Sequence, residues 1–429
     1  MRSPDKGEPW KEKLLGRILQ LIDSDKQIDS SGEVGFRRMG SLSLSALVAE
    51  YLSFPDDIHP SERRRLAVAA IKGAGTTGPI DLERVKAELH RRVNARSSAR
   101  PRRHVLLATI AIPQDLLLRC HRFRDASITF PKRLSARFER ARAEVVGANS
   151  VGIELPAGVT AGYRWAKVSV EARSDAEAYD HAMEVLNLLR GLWNLKLNSL
   201  TAWRVTFGSH RKPINTILLG PVQSIHSPSG ELVRKIFWYD PSSVGAPAEP
   251  SLTDTKLLRD HLSAMLLFAS NSRKRLRKLP YRSQVEAAIR LYNEALDRSD
   301  WSLSFLGLWQ ALEVATLVGG QEHANVVGRL ASLCRDREFH SCFLTHLRSV
   351  RHAYVHSGRE STEPESNLYW LKSYADALLR FLLDTAGQFS SKETLVEFLD
   401  LPASDELDRR IGSFRRALSV RSVAGNWGT

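Results

Sequence analysis

The sequence predicts a multidomain chain of α and α+β class, with an N-terminal helical region, a central α+β domain and a C-terminal all-α bundle. Three observations predict it. A chain of 429 residues is long for one hydrophobic core. Apolar residues recur at helical spacing over residues 1–97 and again from 253 onward, while the stretch between carries short runs rich in β-branched and aromatic residues. Two segments of linker composition, 94–103 (Arg, Ser, Pro) and 244–250 (Gly, Ala, Pro), separate these textures. The expected units are therefore 1–97, 104–243 and 251–400, with a basic, partly disordered tail over 401–429.

In the first unit Leu14, Leu15, Ile18, Leu19 and Ile22 share one helix face, and Leu42–Leu52 and Ser61–Ile71 repeat the pattern. Asp81 caps a further helix carrying Val85, Leu89 and Val93. Gly73-Ala-Gly-Thr-Thr-Gly78 has the formal spacing of a dinucleotide fingerprint. It lacks the strand before it, the helix directly after it and the acid about 20 residues on, so it reads as an interhelix loop.

In the second unit strands are expected at His104–Ile112, Ala126–Phe130, Val151–Leu155, Arg164–Ala172, Trp203–Phe207, Thr216–Leu219 and Val233–Trp238. One strong helix, Asp175–Trp193, lies among them, and Ser227–Gly230 forms a turn. In the third unit helices follow from Thr253, from the capping box Ser283/Glu286, from Asp300 and over Val326–Cys334. A motif helix ending at Gly358, a long helix over Asn367–Leu383 and a shorter one from Ser390/Glu393 complete it.

Composition narrows the function classes. Apolar content of 43% and charged content of 26% describe an ordinary globular protein. A net charge of +14 points to an anionic partner, nucleic acid first; basic solvated helix faces are the bland alternative. Three cysteines, Cys120, Cys334 and Cys342, make neither a disulfide framework nor a Cys-x-x-Cys zinc pair. No signal-peptide-like run opens the chain, and apolar stretches such as Ala264–Ala269 are too short to span a bilayer. The expectation is a reduced, cytoplasmic protein without a membrane partner.

Chemistry concentrates in Leu347-Arg-Ser-Val-Arg-His-Ala-Tyr-Val-His-Ser-Gly358. On a helix Arg348, His352 and His356 fall on one stripe, with Arg351 beside it. Three readings are open. Cationic side chains are favoured at a helix C-terminus, which makes a wholly structural reading available. His352-x-x-x-His356 has zincin spacing but lacks the Glu after the first His and a nearby carboxylate to complete the ligands. The third reading is metal-free acid–base catalysis, in which a histidine takes the ribose 2′-hydroxyl proton and a guanidinium stabilises charge on the phosphate. RNA supplies that hydroxyl and DNA does not. Farther upstream, Arg273-Lys274-Arg275 belongs to a dense basic run that fits a phosphate-contacting loop.

Arg351-His-Ala-Tyr-Val-His356 resembles the HEPN signature: an arginine, a polar residue, three more residues, then histidine. Trp309-Gln-Ala-Leu-Glu313 and the Leu347-Arg-Ser segment are similar to the Apea-like branch of that family. The resemblance covers about residues 250–385; Ser357 stands where the family often has glycine. It implies a bundle of four or five helices that forms a homodimer through its motif face. It also implies a metal-independent endoribonuclease with no cofactor, in a toxin or anti-phage role, leaving a 2′,3′-cyclic phosphate and a 5′-hydroxyl. The alternative within the family is a non-catalytic dimerisation or RNA-binding scaffold. Carried over, His356 is the acid or base, Arg351 the phosphate stabiliser and His352 the polar helper. Arg348 and Tyr354 are candidate substrate contacts, with Arg273, Lys274 and Arg275 as further phosphate contacts, and Glu313 supports a motif arginine. An activating trigger or partner protein would then act through the 104–243 unit.

Overall fold

The computed structural model describes residues 9–30, 32–37, 44, 47–55, 58–112, 120–123, 125–149, 163–199, 213–233, 237–239, 255–321, 324–358, 361–402 and 404–424. Helices and a small antiparallel sheet are combined in one chain. The N-terminal part contains α1 (Pro9–Ser24), the hairpin β1 (Lys26–Ile28) and β2 (Val34–Phe36), α2 (Pro60–Thr77) and α3 (Leu82–Ser98). The central part contains β3 (Arg102–Ala111), β4 (His121–Phe123), β5 (Ala126–Thr129), α4 (Ala136–Asn149), β6 (Tyr163–Ala172), α5 (Asp175–Asn198), β7 (Val222–His226) and β8 (Trp238–Tyr239). The rest is helical: α6 (Thr255–Leu276), α7 (Arg282–Asp297), α8 (Trp301–Thr316), α9 (Ala324–Ala331), α10 (Arg337–Ser357), α11 (Pro364–Asp384), α12 (Lys392–Leu399) and α13 (Ser404–Ala424).

The sheet has strand order β4-β5-β6-β3-β7-β8, and its paired strands run antiparallel. Successive strand residues face opposite sides, and β3 is buried on both of them from His104 to Ala111. Leu106, Ala108 and Ile110 join the core shared with α5, as do Ala166, Val168 and Val170 of β6. Val105 and Leu107 instead meet Phe138 of α4 on the opposite face. Arg142 of α4 is buried against that face, donating to the Val222 carbonyl at 2.8 Å and to Ser224 Oγ at 3.1 Å.

Helix α5 is the axis of the molecule. Residues 185–195 are buried on every side, the signature of a helix sandwiched between layers. One side lies on the sheet and the other on α6 and α7, so a single core runs from β3 to α12. A side chain at Gly191 would meet Ile289 Cγ2 at 2.7 Å and the Ile289 carbonyl at 2.9 Å, which is how closely α5 and α7 approach. The contact is also polar. Arg190 donates to Asp297 at 2.8 Å and to Asn187 Oδ1 at 2.8 Å, Asn194 to Asn293 at 2.8 Å, and Asn198 to Asn215 at 2.8 Å. Tyr292 donates to Asp376 at 2.6 Å, and Lys372 reaches both Asp376 and the Asn198 carbonyl.

The N-terminal part has its own apolar core, built from Leu15, Ile18, Leu19, Ile22, Ala67, Ile71, Val85 and Leu89 among others. It meets the start of α5 through the ion pairs of Arg65 with Asp175 at 2.5 Å and of Arg96, held by Glu62 of α2 at 2.9 Å, with Glu177 at 3.3 Å, and His59 lies 3.1 Å from Asp180.

Several local expectations are corrected. Residues 73–77 are helical, because Ala70, Ile71 and Ala74 are buried and the glycines let α3 lie close; a side chain at Gly73 would meet Glu88. Residues 94–98 extend α3 and β3 begins at Arg102, so the expected first linker is reduced to 99–101. Helix α4 was not expected; its buried Phe138, Val145 and Val146 form a stripe too narrow to show among its charges. Residues 216–219 contribute one isolated bridge, Leu219 to Ile110; of the strand expected over 233–238, residues 234–236 lie outside the described residues and Trp238 belongs to the short strand Trp238–Tyr239. Helix α7 begins at Arg282 without a side-chain cap, and Glu286 pairs with Arg282 instead of capping. The capping box near 390 is Ser391 with Thr394. Residues 404–424 of the tail are helical. The expected strands at 151–155 and 203–207 and the linker at 244–250 lie outside the described residues.

Candidate functional site

Helix α10 is opened by Asp336, whose carboxylate accepts from the Phe339 N–H at 3.0 Å. It closes at Gly358, where φ is +59° and the N–H donates to the Ala353 carbonyl. Its buried residues, Leu344, Leu347 and Tyr354, form one narrow stripe against α8 and α9. The stripe leaves the rest of the helix to solvent. Thr345, His346, Ser349, His352, Val355 and His356 are exposed.

The motif side chains sit along the edge of this stripe. Arg351 is half-buried and pairs with Glu313 of α8, Nη2 to Oε1 at 3.2 Å. The ion pair that the Ala-Leu-Glu helix suggested is therefore present. It fixes one end of the guanidinium while the helix end supports its charge. The rings of His352 and His356 lie 4.2 Å apart between centroids, one turn from each other. Among the described residues, His352, His356 and Arg348 take part in no hydrogen bond or ion pair. His352 and His356 are exposed and Arg348 is half-buried.

Tyr354 was expected to touch substrate, and the structure places it inside. Its ring packs on Phe305 at 5.8 Å, and its hydroxyl accepts from the Ser361 N–H at 3.3 Å. Asn367 in turn donates to Ser361 Oγ at 2.8 Å. Tyr354 thus holds the turn from α10 to α11, because position 354 follows 347 by two helical turns and falls on the same buried face.

The basic run is not at this site and not on a loop. Arg273, Lys274 and Arg275 occupy the last turn of α6. Arg275 pairs with Asp384, at the far end of α11 from the motif turn. A helix of 21 residues is about 30 Å long, so Arg275 and His356 are separated by roughly that length. Arg273 faces β4: it donates to His121 Nδ1 at 3.1 Å and to the Arg122 carbonyl, and its guanidinium lies 4.2 Å over the Phe123 ring. Lys274 is exposed.

No group of three or more His, Cys, Asp and Glu side chains able to hold a metal ion occurs among the described residues, so His352 and His356 gain no third protein ligand there. No described helix is long and apolar enough to cross a membrane. The polar ladder on α5 escaped the sequence reading; the signal was present as Asn187, Arg190, Asn194 and Asn198 at helical spacing within a strongly apolar helix. The chain matches no protein-family model, no curated protein and no solved structure.

Proposed function

We propose that the C-terminal helices form a HEPN-type bundle and that the chain is a metal-independent endoribonuclease acting at the end of α10. One observation carries the reading: Arg351, paired with Glu313, and two exposed imidazoles occupy the last two turns of a helix. In the reaction His356 removes the 2′-hydroxyl proton of a ribose, and that oxygen attacks the adjacent phosphorus. Arg351 neutralises the equatorial phosphate oxygens as their charge grows. The 5′-oxygen leaves with a proton from the second imidazole, His352 or a histidine of a second copy. The products are a 2′,3′-cyclic phosphate and a 5′-hydroxyl, and no cofactor enters. A toxin or anti-phage role rests on the motif resemblance, and a reduced, cytoplasmic setting on the cysteine pattern. The deciding experiment incubates total RNA with purified chain in EDTA. Cleavage is expected, with cyclic-phosphate ends, and His356→Ala abolishes it; intact RNA with the wild type, alone and under phage challenge in cells, counts against the reading.

A second reading has its own observation. Val355, within the motif, is 51% exposed, and Phe339 and Trp370, elsewhere on α10 and α11, are 60% and 45% exposed. Large exposed apolar side chains suit a dimer interface, and a dimerising scaffold needs no cleavage. RNA binding and dimer formation that both survive Arg351→Ala, without any cleavage by the wild type, would favour the scaffold.

A further inference from the structure

A cavity of about 250 Å³ lies where β4, the end of α6 and the start of α7 meet. Its lining carries four guanidiniums, Arg122, Arg273, Arg277 and Arg282, against one carboxylate, Glu286. That carboxylate is already engaged by Arg282, as their ion pair closes one turn of α7. Apolar lining comes from Phe123 and Leu276. Four like charges around one small space repel each other unless an anion sits among them.

The site is also held in shape. His121 accepts a hydrogen bond from Arg273 at Nδ1, which requires the neutral ring, since the guanidinium can only donate. Phe123 supports the same guanidinium from below, and the Arg122 carbonyl takes a second donor. Burial, and after it the Arg277 charge, push Arg273 below the usual arginine range. A cation costly to keep there is one that an incoming anion relieves. Helix α7 starts at this cavity with no side-chain cap on its first turn, which adds the positive end of a helix dipole.

We propose that this cavity binds a compact phosphoanion of diphosphate size, free or as the diphosphate end of a nucleotide. The size follows from the volume. Pockets for drug-sized ligands span about 300–1,000 Å³, and this one falls below that range. Planar guanidiniums match phosphate oxygens in pairs, which a halide cannot use, and a diphosphate offers more such oxygens to several guanidiniums than a lone carboxylate does. The site is separate from the α10 motif, about the length of α11 away. It stands whether or not that motif cleaves RNA.

The test is calorimetric titration of the full chain with inorganic phosphate, sulfate, inorganic pyrophosphate and a nucleoside diphosphate. Pyrophosphate is expected to bind one site saturably, at least tenfold tighter than phosphate or sulfate. Equal affinity for pyrophosphate and the nucleotide identifies the free anion as the ligand; tighter nucleotide binding identifies the nucleotide. Arg122→Glu/Arg277→Glu should weaken pyrophosphate at least tenfold. Both side chains are exposed, so the fold should survive, and Arg277→Gln serves as the milder variant with a smaller loss in the same direction. Arg415→Glu/Arg416→Glu on α13 changes the net charge equally and should leave binding unchanged. No saturable binding of any probe, or equal weakening by the two double variants, overturns the proposal, since the second result would assign the anion to bulk charge.

Discussion

Two helices carry polar side chains at the same spacing and use them in opposite ways. On α5, Asn187, Arg190, Asn194 and Asn198 are buried, and each is bonded to a neighbouring element. On α10, Arg348, His352 and His356 repeat at four-residue intervals on the exposed side, and only the adjacent Arg351 has a charged partner, Glu313. Spacing therefore says which side chains share a face, and the inventory of partners says what the face is for. A buried polar group must be satisfied within the fold, so the α5 ladder is committed to holding sheet and bundle together. The α10 histidines and Arg348 make no hydrogen bond or ion pair among the described residues, which the proposed site requires.

The strongest way to break the comparison is to remove a rung of the buried ladder. Arg190→Ala removes the buried guanidinium that pairs with Asp297 and donates to Asn187 and the Ile217 carbonyl. Breaking a buried pair from one side costs about 3–5 kcal/mol. Urea unfolding should show a loss in that range, while Arg351→Ala, which breaks a single pair between two half-buried side chains, should cost less. Similar losses in the two variants would mean that the α10 pair is structural as well.

Acid sharpens the buried side further. Burial holds His121 at a pKa of about 4, with Arg273 adding to the effect, and burial holds His226 at about 4, with Arg142 and Lys167 adding to it. His226 is fixed as a neutral ring, its Nδ1 donating to the Gly230 carbonyl and its Nε2 accepting from Ser224. Each folded pKa lies below the ordinary value of 6.5, so the unfolded chain binds more protons between them. Stability is then full above pH 6.5 and falls as pH drops toward 4, by about 2 kcal/mol per histidine at pH 5. Urea unfolding at pH 7 and pH 5 should show this drop, and His226→Gln should remove its share of the pH dependence. An unchanged slope in that variant would mean that the ring is charged in the fold.

The same contrast explains what the sequence made legible. Asp300 as a helix cap, the buried faces of α7 and α8 and the end of α10 at Gly358 follow from local patterns, whereas the Arg351–Glu313 approach is suggested by the motif resemblance. What failed depended on tertiary partners. Glycine-rich residues 73–77 are helical because α3 packs on them, and Tyr354 turns inward because Phe305 lies opposite. The basic run at 273–275 read as part of one site with the motif. Only the length of α11 between Asp384 and the motif turn reveals that they are two places.

On the exposed side the single anchored contact can be loosened without touching the ladder. Glu313→Gln keeps a hydrogen-bond acceptor for Arg351 and removes the charge that holds it. If RNA cleavage occurs as proposed, its rate should fall about tenfold, equivalent to about 1.4 kcal/mol in the transition state. The urea midpoint should stay near that of the wild type. An unaltered rate would detach Glu313 from the site and leave its pair with Arg351 as packing.

The smallest effect tests the backbone beneath the histidines. Gly358 ends α10 in the left-handed region at φ +59°, and a methyl group there would meet no heavy atom within 4 Å. Gly358→Ala therefore introduces no clash, and its cost is the conformational strain of an L-residue at positive φ, about 1 kcal/mol. Gly358→Asn, which tolerates that region better, should recover part of it. Both variants leave every side chain of the motif in place. A rate loss in Gly358→Ala that Gly358→Asn restores would show that the last turn must hold His356 at a set angle. A melting shift without a rate change would show that the imidazoles work from a helix end free to fray, and that only the anchored Arg351 needs fixed geometry.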